Sequence, residues 1–150
     1  LYDRALAADK LGKFKILEQD LRKLIKMKPE SAHAYNALGY SLAERGSQLP
    51  EALKLIKRAV ELSPEDPYIM DSLGWVHYRM GNLVEGLNYL NLAFAARPDA
   101  EIAAHLGEVL WMKGAKEDAQ NIWRFALEKD PDNEVLLETL QRLIKKKAVD

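Results

Sequence analysis

Apolar residues recur every three or four positions along most of the chain, which is the period of an amphipathic helix. Between Pro29 and Gly46, for example, Tyr35, Leu38 and Leu42 share one helical face. Helix breakers divide this pattern at regular places. The sequence therefore predicts an all-α protein, with nine helices at 1–11, 14–27, 31–45, 49–62, 66–80, 83–96, 99–113, 116–129 and 132–147.

The breakers and small residues repeat at intervals of 33 to 35 residues. Prolines close the units at Pro29, Pro64, Pro98 and Pro131. Leu-Gly pairs recur at Leu38-Gly39, Leu73-Gly74 and Leu106-Gly107. A second glycine follows each pair, at Gly46, Gly81 and Gly114. Alanines precede the last three prolines, at Ala59, Ala93 and Ala126. Each unit is therefore predicted to consist of a helix, a glycine turn and a second helix.

Each repeated residue has a physical role in such a unit. Glycine inside a helix costs ~1 kcal/mol against alanine, which is tolerable where a neighbouring helix must approach the backbone closely. The second glycine suits the left-handed conformation that ends a helix, and the proline stops the helix before it. Ser31, Asp66 and Asn82 are predicted N-caps.

These residues resemble the tetratricopeptide repeat, a helix-turn-helix unit of about 34 residues. The resemblance implies a right-handed α-solenoid that forms a single domain over 1–150. Its parts would be a degenerate repeat at 1–31, full repeats at 32–65, 66–99 and 100–131, and a capping helix at 132–147. The cap is expected to turn its leucines inward and its polar face, with Glu138 and Arg142, to solvent.

In this family the first helix of each pair lines the concave wall of the solenoid. One face of those helices is the predicted partner-binding stripe, namely Asn36, Tyr40, Asp71, Trp75, Tyr78, Glu108 and Trp111. Tyr and Trp dominate interface energetics, so Tyr40 and Trp75 are expected to be exposed, with Trp75 as the anchor. Tyr78 and Trp111 fit equally well a role in filling gaps between repeats.

The polar residues of this stripe indicate what kind of ligand it accepts. Some relatives hold a partner's terminal carboxylate with Lys, Arg and Asn from the same wall. Of the residues at those places only Asn36 is compatible with that ligand, because Asp71 and Glu108 are acidic. The stripe therefore predicts a ligand of positive or neutral polar character.

Candidate chemistry is sparse. The histidines His33, His77 and His105 lack the spacing of a metal pair, and neither a phosphate-binding glycine loop nor a nucleophile elbow is present. His77 is expected in the core and His105 to be partly exposed. We predict no catalytic residue, metal or cofactor, and a protein that is not an enzyme. A net charge of -1 argues against nucleic-acid binding, and the short apolar runs argue against membrane insertion.

The expected function is a protein-interaction scaffold for a protein or peptide, as a fragment of a longer adaptor. Two alternatives stay open: the recognition arm of an enzyme whose catalytic domain lies elsewhere, and a self-associating structural spacer. The runs 34–42, 71–75 and 104–111 resemble the C-terminal region of large proteobacterial repeat lipoproteins, some of which are adaptors for a periplasmic processing protease. That resemblance implies a periplasmic location, with an outer-membrane tether upstream of this fragment.

Overall fold

The structure, a computed structural model, describes residues 13–145. Its helices are α1 (Phe14–Met27), α2 (Ala32–Arg45), α3 (Leu49–Leu62), α4 (Pro67–Arg79), α5 (Leu83–Ala96), α6 (Ala100–Lys113), α7 (Lys116–Lys129) and α8 (Glu134–Leu140), followed by a π-helical turn at Gln141–Lys145. No strand occurs in residues 13–145, and the all-α prediction is confirmed. The helix predicted at 1–11 lies outside the described residues.

Two of the three predicted N-caps are confirmed by a capping hydrogen bond of the side chain. The Asp66 carboxylate accepts a hydrogen bond from the backbone N–H of Tyr68 at 2.8 Å, and the Ser31 hydroxyl accepts one from Ala34 at 3.3 Å. Asn82 occupies the N-cap position of α5 as predicted, but its side chain makes no capping hydrogen bond. At the opposite helix ends, the repeated second glycines have the left-handed conformation expected of them.

The glycines inside the first helices mark where each helix pair touches. A Cβ atom on Gly74 would lie 2.8 Å from Cγ of Leu90 and 2.9 Å from the carbonyl oxygen of Gly86. On Gly107 it would lie 2.0 Å from Nε1 of Trp123. The close helix approach predicted from the sequence is therefore confirmed, and these positions exclude any side chain.

Helix pairs stack in sequence order. The most extensive contacts lie within the pairs α2–α3, α4–α5 and α6–α7, and smaller ones join each pair to the next. The central helix α4 contacts α2, α3, α5 and α6. As a result, Ile69 and all residues from Asp71 to His77 are buried.

The C-terminal cap departs from its prediction. Its α-helical part is only seven residues long, and the backbone then widens into the π-helical turn. Leu136 is buried as expected, whereas Leu137, assigned to the same apolar face, is 44% exposed. The side of α8 that faces the repeats therefore differs from the one that the leucine pattern indicated. Helix α8 packs against α6.

Candidate partner-binding groove

The inner wall is formed by α2, α4 and α6, and Trp75 lies at its centre. Its ring stacks on the ring of His105, with centroids 4.3 Å apart, and it also contacts the ring of Tyr78 at 5.0 Å. Trp75 is only 3% exposed, so the expectation of an exposed anchor is wrong. Tyr40 is half-buried, which also falls short of the predicted exposure. These neighbours come from the next repeat and from the same helix, and they cover the indole.

Three polar side chains from three helices form a chain beneath that wall. Nδ1 of His105 lies 2.8 Å from Oδ1 of Asp71, and Nε2 of His105 lies 3.1 Å from the hydroxyl of Tyr40. Asp71 and His105 are each 5% exposed, so the expectation that His105 is partly exposed is wrong. Two predicted stripe residues, Tyr40 and Asp71, are thus joined through a histidine that the prediction left out.

Opposing effects act on the pKa of His105. Burial, the largest single cause, lowers it, but the charge and the hydrogen bond of Asp71 together with the charges of Glu44 and Glu108 outweigh burial, so the pKa is raised from the ordinary value. The pKa of Tyr40 is raised well above its ordinary value, first by burial and then by the charges of Glu44 and Asp71. At neutral pH Tyr40 therefore remains a neutral phenol.

A second set of hydrogen bonds, among Tyr78, Glu108 and Arg142, connects the inner wall to the cap. The Tyr78 hydroxyl donates to Oε2 of Glu108 at 2.8 Å. Nη1 of Arg142 donates to the same oxygen at 3.3 Å, and Nη2 donates to Oε1. The Glu108 side chain is only 5% exposed, and burial is the main cause of an upward shift in the pKa of Tyr78. Arg142 thus points its guanidinium at the inner wall and not to the outside of the cap as expected, although its side chain is 45% exposed.

A cavity of about 300 Å³ opens where these two groups meet. Its lining residues are Tyr40, Glu44, Trp75, His105, Glu108, Val135, Glu138, Thr139 and Arg142. Three carboxylates and one guanidinium therefore line it. Glu138, which was assigned to the outer polar face, is exposed as expected but is also part of this lining.

A larger groove, of about 640 Å³, runs along the outer side of α3. Two of its charged residues, Arg58 and Glu61, already form an ion pair with each other, with Nη1 of Arg58 2.9 Å from Oε2 of Glu61. The smaller cavity between the inner wall and the cap combines aromatic, cationic and anionic groups. We therefore regard the smaller cavity as the candidate site.

The other stripe residues lie apart from this cavity. Trp111 is half-buried and packs in the last repeat, with its ring centroid 5.6 Å from that of Trp123, and the ammonium of Lys116 lies over it at 4.8 Å. This arrangement matches the gap-filling alternative. Asn36 is half-buried, and its side-chain oxygen has no hydrogen-bond partner within the described residues.

Sequence reasoning missed His105, Glu44 and Arg142 as members of the site. One available signal was the i, i+4 pair Glu138 and Arg142, two opposite charges that share a face of the cap. Among residues 13–145 no group of three histidine or carboxylate side chains forms a metal site. No helix in that part of the chain is both long and apolar enough to cross a bilayer.

Comparison with known proteins supports the repeat assignment. The profile described as tetratricopeptide repeat (TPR) matches residues 2–67. A TPR repeat-containing protein of Pseudomonas aeruginosa is 48% identical over 108 residues, which is 72% of this chain and 18% of that relative. The structure of a thermophilic TPR protein of Thermus thermophilus superposes with a TM-score of 0.80 at 22% identity, covering 93% of this chain and 78% of that one.

A third similar protein is an enzyme, the O-GlcNAc transferase of Thermobaculum terrenum, in a mutant form. It superposes with a TM-score of 0.68 at 26% identity, over 73% of this chain and 21% of that one. This chain thus spans about a fifth of the length of the transferase and of the Pseudomonas relative. The repeated residues, the stacked helix pairs and these similarities agree, and the chain belongs to the tetratricopeptide-repeat family.

Proposed function

We propose that this chain is a scaffold that binds a polypeptide partner in its concave groove, and that a basic side chain of the partner enters the cavity between the inner wall and the cap. The family assignment supports a role in protein interaction. The share of the Pseudomonas relative that the chain spans, 18%, supports a part in a longer adaptor.

The single observation that carries the choice of ligand is the charge of the cavity lining. Glu44, Glu108 and Glu138 face the guanidinium of Arg142, which is already paired with Glu108, and the imidazole of His105, which is already paired with Asp71. Glu44 and Glu138 lie at the exposed rim. A lysine or arginine side chain would gain charge-assisted hydrogen bonds there, with an aromatic wall beside it for its aliphatic stem.

Arg142 itself gives a precedent within the molecule for how a guanidinium is held. It contacts both oxygens of Glu108, and the hydroxyl of Tyr78 donates to one of them. A partner arginine at the rim would meet Glu44 and Glu138 in a similar setting. We therefore expect arginine to be preferred to lysine, because its planar fork matches carboxylates in two places at once.

The test uses a labelled, otherwise uncharged peptide with one central arginine, and the same peptide with citrulline at that position. Fluorescence anisotropy should show the arginine peptide binding at least about tenfold more tightly, an advantage that shrinks as salt is added. Substituting Glu44→Gln and Glu138→Gln together should remove the preference. Glu61→Gln on the outer side of α3 is the matched control. Equal binding of the two peptides, or an equal loss in the control, would contradict the proposal.

A second candidate function is the recognition arm of an enzyme, which the similarity to a transferase favours. On that view the repeats select a substrate and a separate domain of the parent chain performs the reaction. The observation that decides between the two is a catalytic domain in the parent chain. For these repeats themselves we propose no catalysis, because both ring nitrogens of the buried His105 are engaged, by Asp71 and Tyr40. Hydrolysis of ester, peptide or phosphate substrates that is lost in His105→Ala would contradict this.

For location we propose the periplasm, with a tether to the outer membrane upstream of the fragment. The proposal rests on the resemblance of the runs at 34–42, 71–75 and 104–111 to repeat lipoproteins. A lipid-modified cysteine at the mature start of the parent chain, detected by mass spectrometry, is the expected result. A parent chain that is retained in the cytoplasm would contradict it.

A further inference from the structure

The outward side of α5 carries no charge. Five of its residues point away from the stack, and we refer to them together as the α5 outer face: Val84, Asn88, Asn91, Leu92 and Ala95. Val84 is 63% exposed and Leu92 60%. The one charged residue of α5, Glu85, is exposed and borders this face, seven residues before Leu92. Its carboxylate lies 3.4 Å from Nδ1 of His77.

The other repeats show that the fold does not require an uncharged face. Positions can be matched by counting from the buried small residue of each second helix, which is Ala52, Gly86 or Ala119. The matching residues are Pro50, Lys54, Lys57, Arg58 and Glu61 on α3, and Glu117, Asn121, Arg124, Phe125 and Glu128 on α7. Four of the five are charged on α3 and three on α7, against none on α5. The three helices have the same place in the fold, so packing within the chain does not explain the difference.

We infer that the α5 outer face binds a second copy of this chain. Depletion of charged residues from a surface centre is the compositional mark of a protein interface. An uncharged face can also meet its own copy without repulsion. Asn88 and Asn91 suit that arrangement, because a side-chain amide is both donor and acceptor and so can pair with another of its kind.

The charges on either side of α5 identify the occupant as another copy and set its orientation. The α3 side carries three cations and one carboxylate at the matched positions, and the α7 side carries two carboxylates and one cation. A two-fold axis parallel to α5 lays α3 of one molecule beside α7 of the other. Both flanks of the dimer are then complementary, with basic residues facing a net negative surface. The same axis places Leu92 opposite its own copy.

The size of the face indicates a weak, reversible dimer. Fourteen helical residues make a strip about 21 Å long and about 10 Å wide, well below the roughly 800 Å² per partner of a standard interface. We expect a dissociation constant on the order of 0.1 to 1 mM for the isolated chain. Tethering or crowding of copies would raise the dimer population by raising the effective concentration.

The first experiment is site-directed cross-linking, for which the chain is well suited because it has no cysteine. Leu92→Cys under mild oxidation should form a disulfide-linked dimer at least about ten times faster than Arg58→Cys or Phe125→Cys. Those two controls occupy the matched positions on α3 and α7, and both are exposed. Equal rates at the three positions would overturn the inference.

The same approach tests the parallel arrangement. When the Val84→Cys and Leu92→Cys variants are mixed and oxidised, the Leu92→Cys chains should cross-link to each other, because the axis places the two copies of position 92 together. Disulfides that join Val84→Cys chains to Leu92→Cys chains, without any between two Leu92→Cys chains, would overturn the parallel arrangement.

The second experiment measures mass in solution. Sedimentation equilibrium of the wild-type chain up to about 1 mM should show a rising average mass, and Leu92→Arg should keep the chain monomeric. Arginine is the residue that α3 has at the matched position. A chain that stays monomeric throughout would overturn the inference, and so would a dimer that Leu92→Arg leaves intact. Peptide binding in the concave groove is measured separately, so either proposal can fail without the other.

Discussion

The two helices of the central repeat reverse the usual distribution of polar and apolar residues. Helix α4 is buried on almost every side and yet carries Asp71, Ser72 and His77. Helix α5, its packing partner, exposes Val84 and Leu92 to solvent. Buried polar residues need hydrogen-bond partners to offset the cost of desolvation, and large exposed apolar residues forgo the stabilisation of burial. Here both occur in one helix pair.

The difference between the two helices indicates two kinds of interaction surface. On α4 the polar residues are partnered across repeats, as in the contact of Asp71 with His105 of α6, and they shape the floor of the groove. On α5 the large apolar residues Val84 and Leu92 remain more than half exposed to solvent. On the two proposals made above, the concave side of this repeat binds a charged ligand and its convex side binds an uncharged surface.

The largest expected effect is on the α4 side of this comparison. Trp75→Ala removes a side chain that is 3% exposed and should lower the free energy of unfolding by about 3–5 kcal/mol, since truncation leaves a cavity. Urea denaturation gives this quantity directly. Trp111→Ala, at a half-buried tryptophan, should cost clearly less. If Trp75→Ala costs under about 1 kcal/mol, Trp75 is not core and the exposed-anchor prediction regains its basis.

The next effect tests the contact between the two helices. Gly74→Ala places a Cβ atom 2.9 Å from the backbone oxygen of Gly86, so α4 and α5 must move apart. We expect a loss of about 1–3 kcal/mol from overpacking, despite the better helix propensity of alanine. Thermal unfolding followed by circular dichroism measures it. Asn82→Ala, next to the turn and without a cap bond to lose, should stay within about 0.5 kcal/mol. A stabilised Gly74→Ala protein would contradict the close approach.

A pH-dependent effect should separate the buried polar residues of α4 from the rest. The folded pKa of His105 lies above the ordinary 6.5, so its stabilising contribution is complete below that value and is lost as pH rises through the folded pKa. Asp71→Asn should therefore cost about 1–2 kcal/mol at pH 6, where a charge-assisted bond is lost, and less at pH 8. Urea midpoints at the two pH values test this.

Asp71→Ala is not an adequate substitute for that variant, because it also removes packing volume. Besides Asp71, the groups that face His105 are Tyr40, Glu44 and Glu108, and these must stay unchanged in both proteins. The pKa of His77 is lowered mainly by burial, so its contribution to stability rises with pH. That contribution is the same in the wild-type and Asp71→Asn proteins and cancels in their comparison. A cost for Asp71→Asn that is the same at both pH values would show that His105 is neutral in the pair.

The smallest effect is expected on the α5 side. Leu92→Arg changes a residue that is 60% exposed, so the free energy of unfolding of the monomer should shift by no more than about 0.5 kcal/mol. Measured in dilute solution, this value also shows that the loss of dimer in the same variant is not a folding defect. A larger loss would mean that Leu92 packs within its own chain.

Local chemistry made much of the fold predictable from the sequence. Glycine was informative because few roles require it. At Gly74 the neighbouring helix leaves no room for a side chain, and Gly114 has a left-handed backbone conformation. Asp66 before Pro67 likewise identified a helix start. Apart from the C-terminal cap, the helix ends in residues 13–145 lie within about one residue of the predicted ones.

The groove was less predictable because it depends on contacts between repeats. Helical spacing correctly placed Trp75 on the inner side of α4, but its burial comes from His105, thirty residues further along the chain. The cap was misjudged for a similar reason. Six apolar residues on α8 and the π-helical turn left it ambiguous which side of the cap faces inward. Arg142 then reaches Glu108 from a direction that no local pattern specifies.

The stacked rings of Trp75 and His105 also have a photophysical consequence. An excited indole readily gives up an electron to a protonated imidazole in contact with it, and its emission is then quenched. With the ring centroids 4.3 Å apart, Trp75 emission should fall as His105 takes up a proton. The emission of Trp111 and Trp123 arises in the last repeat and can be subtracted with a Trp75→Phe variant. The fluorescence of Trp75 should therefore report the protonation state of His105 in the groove without any added dye.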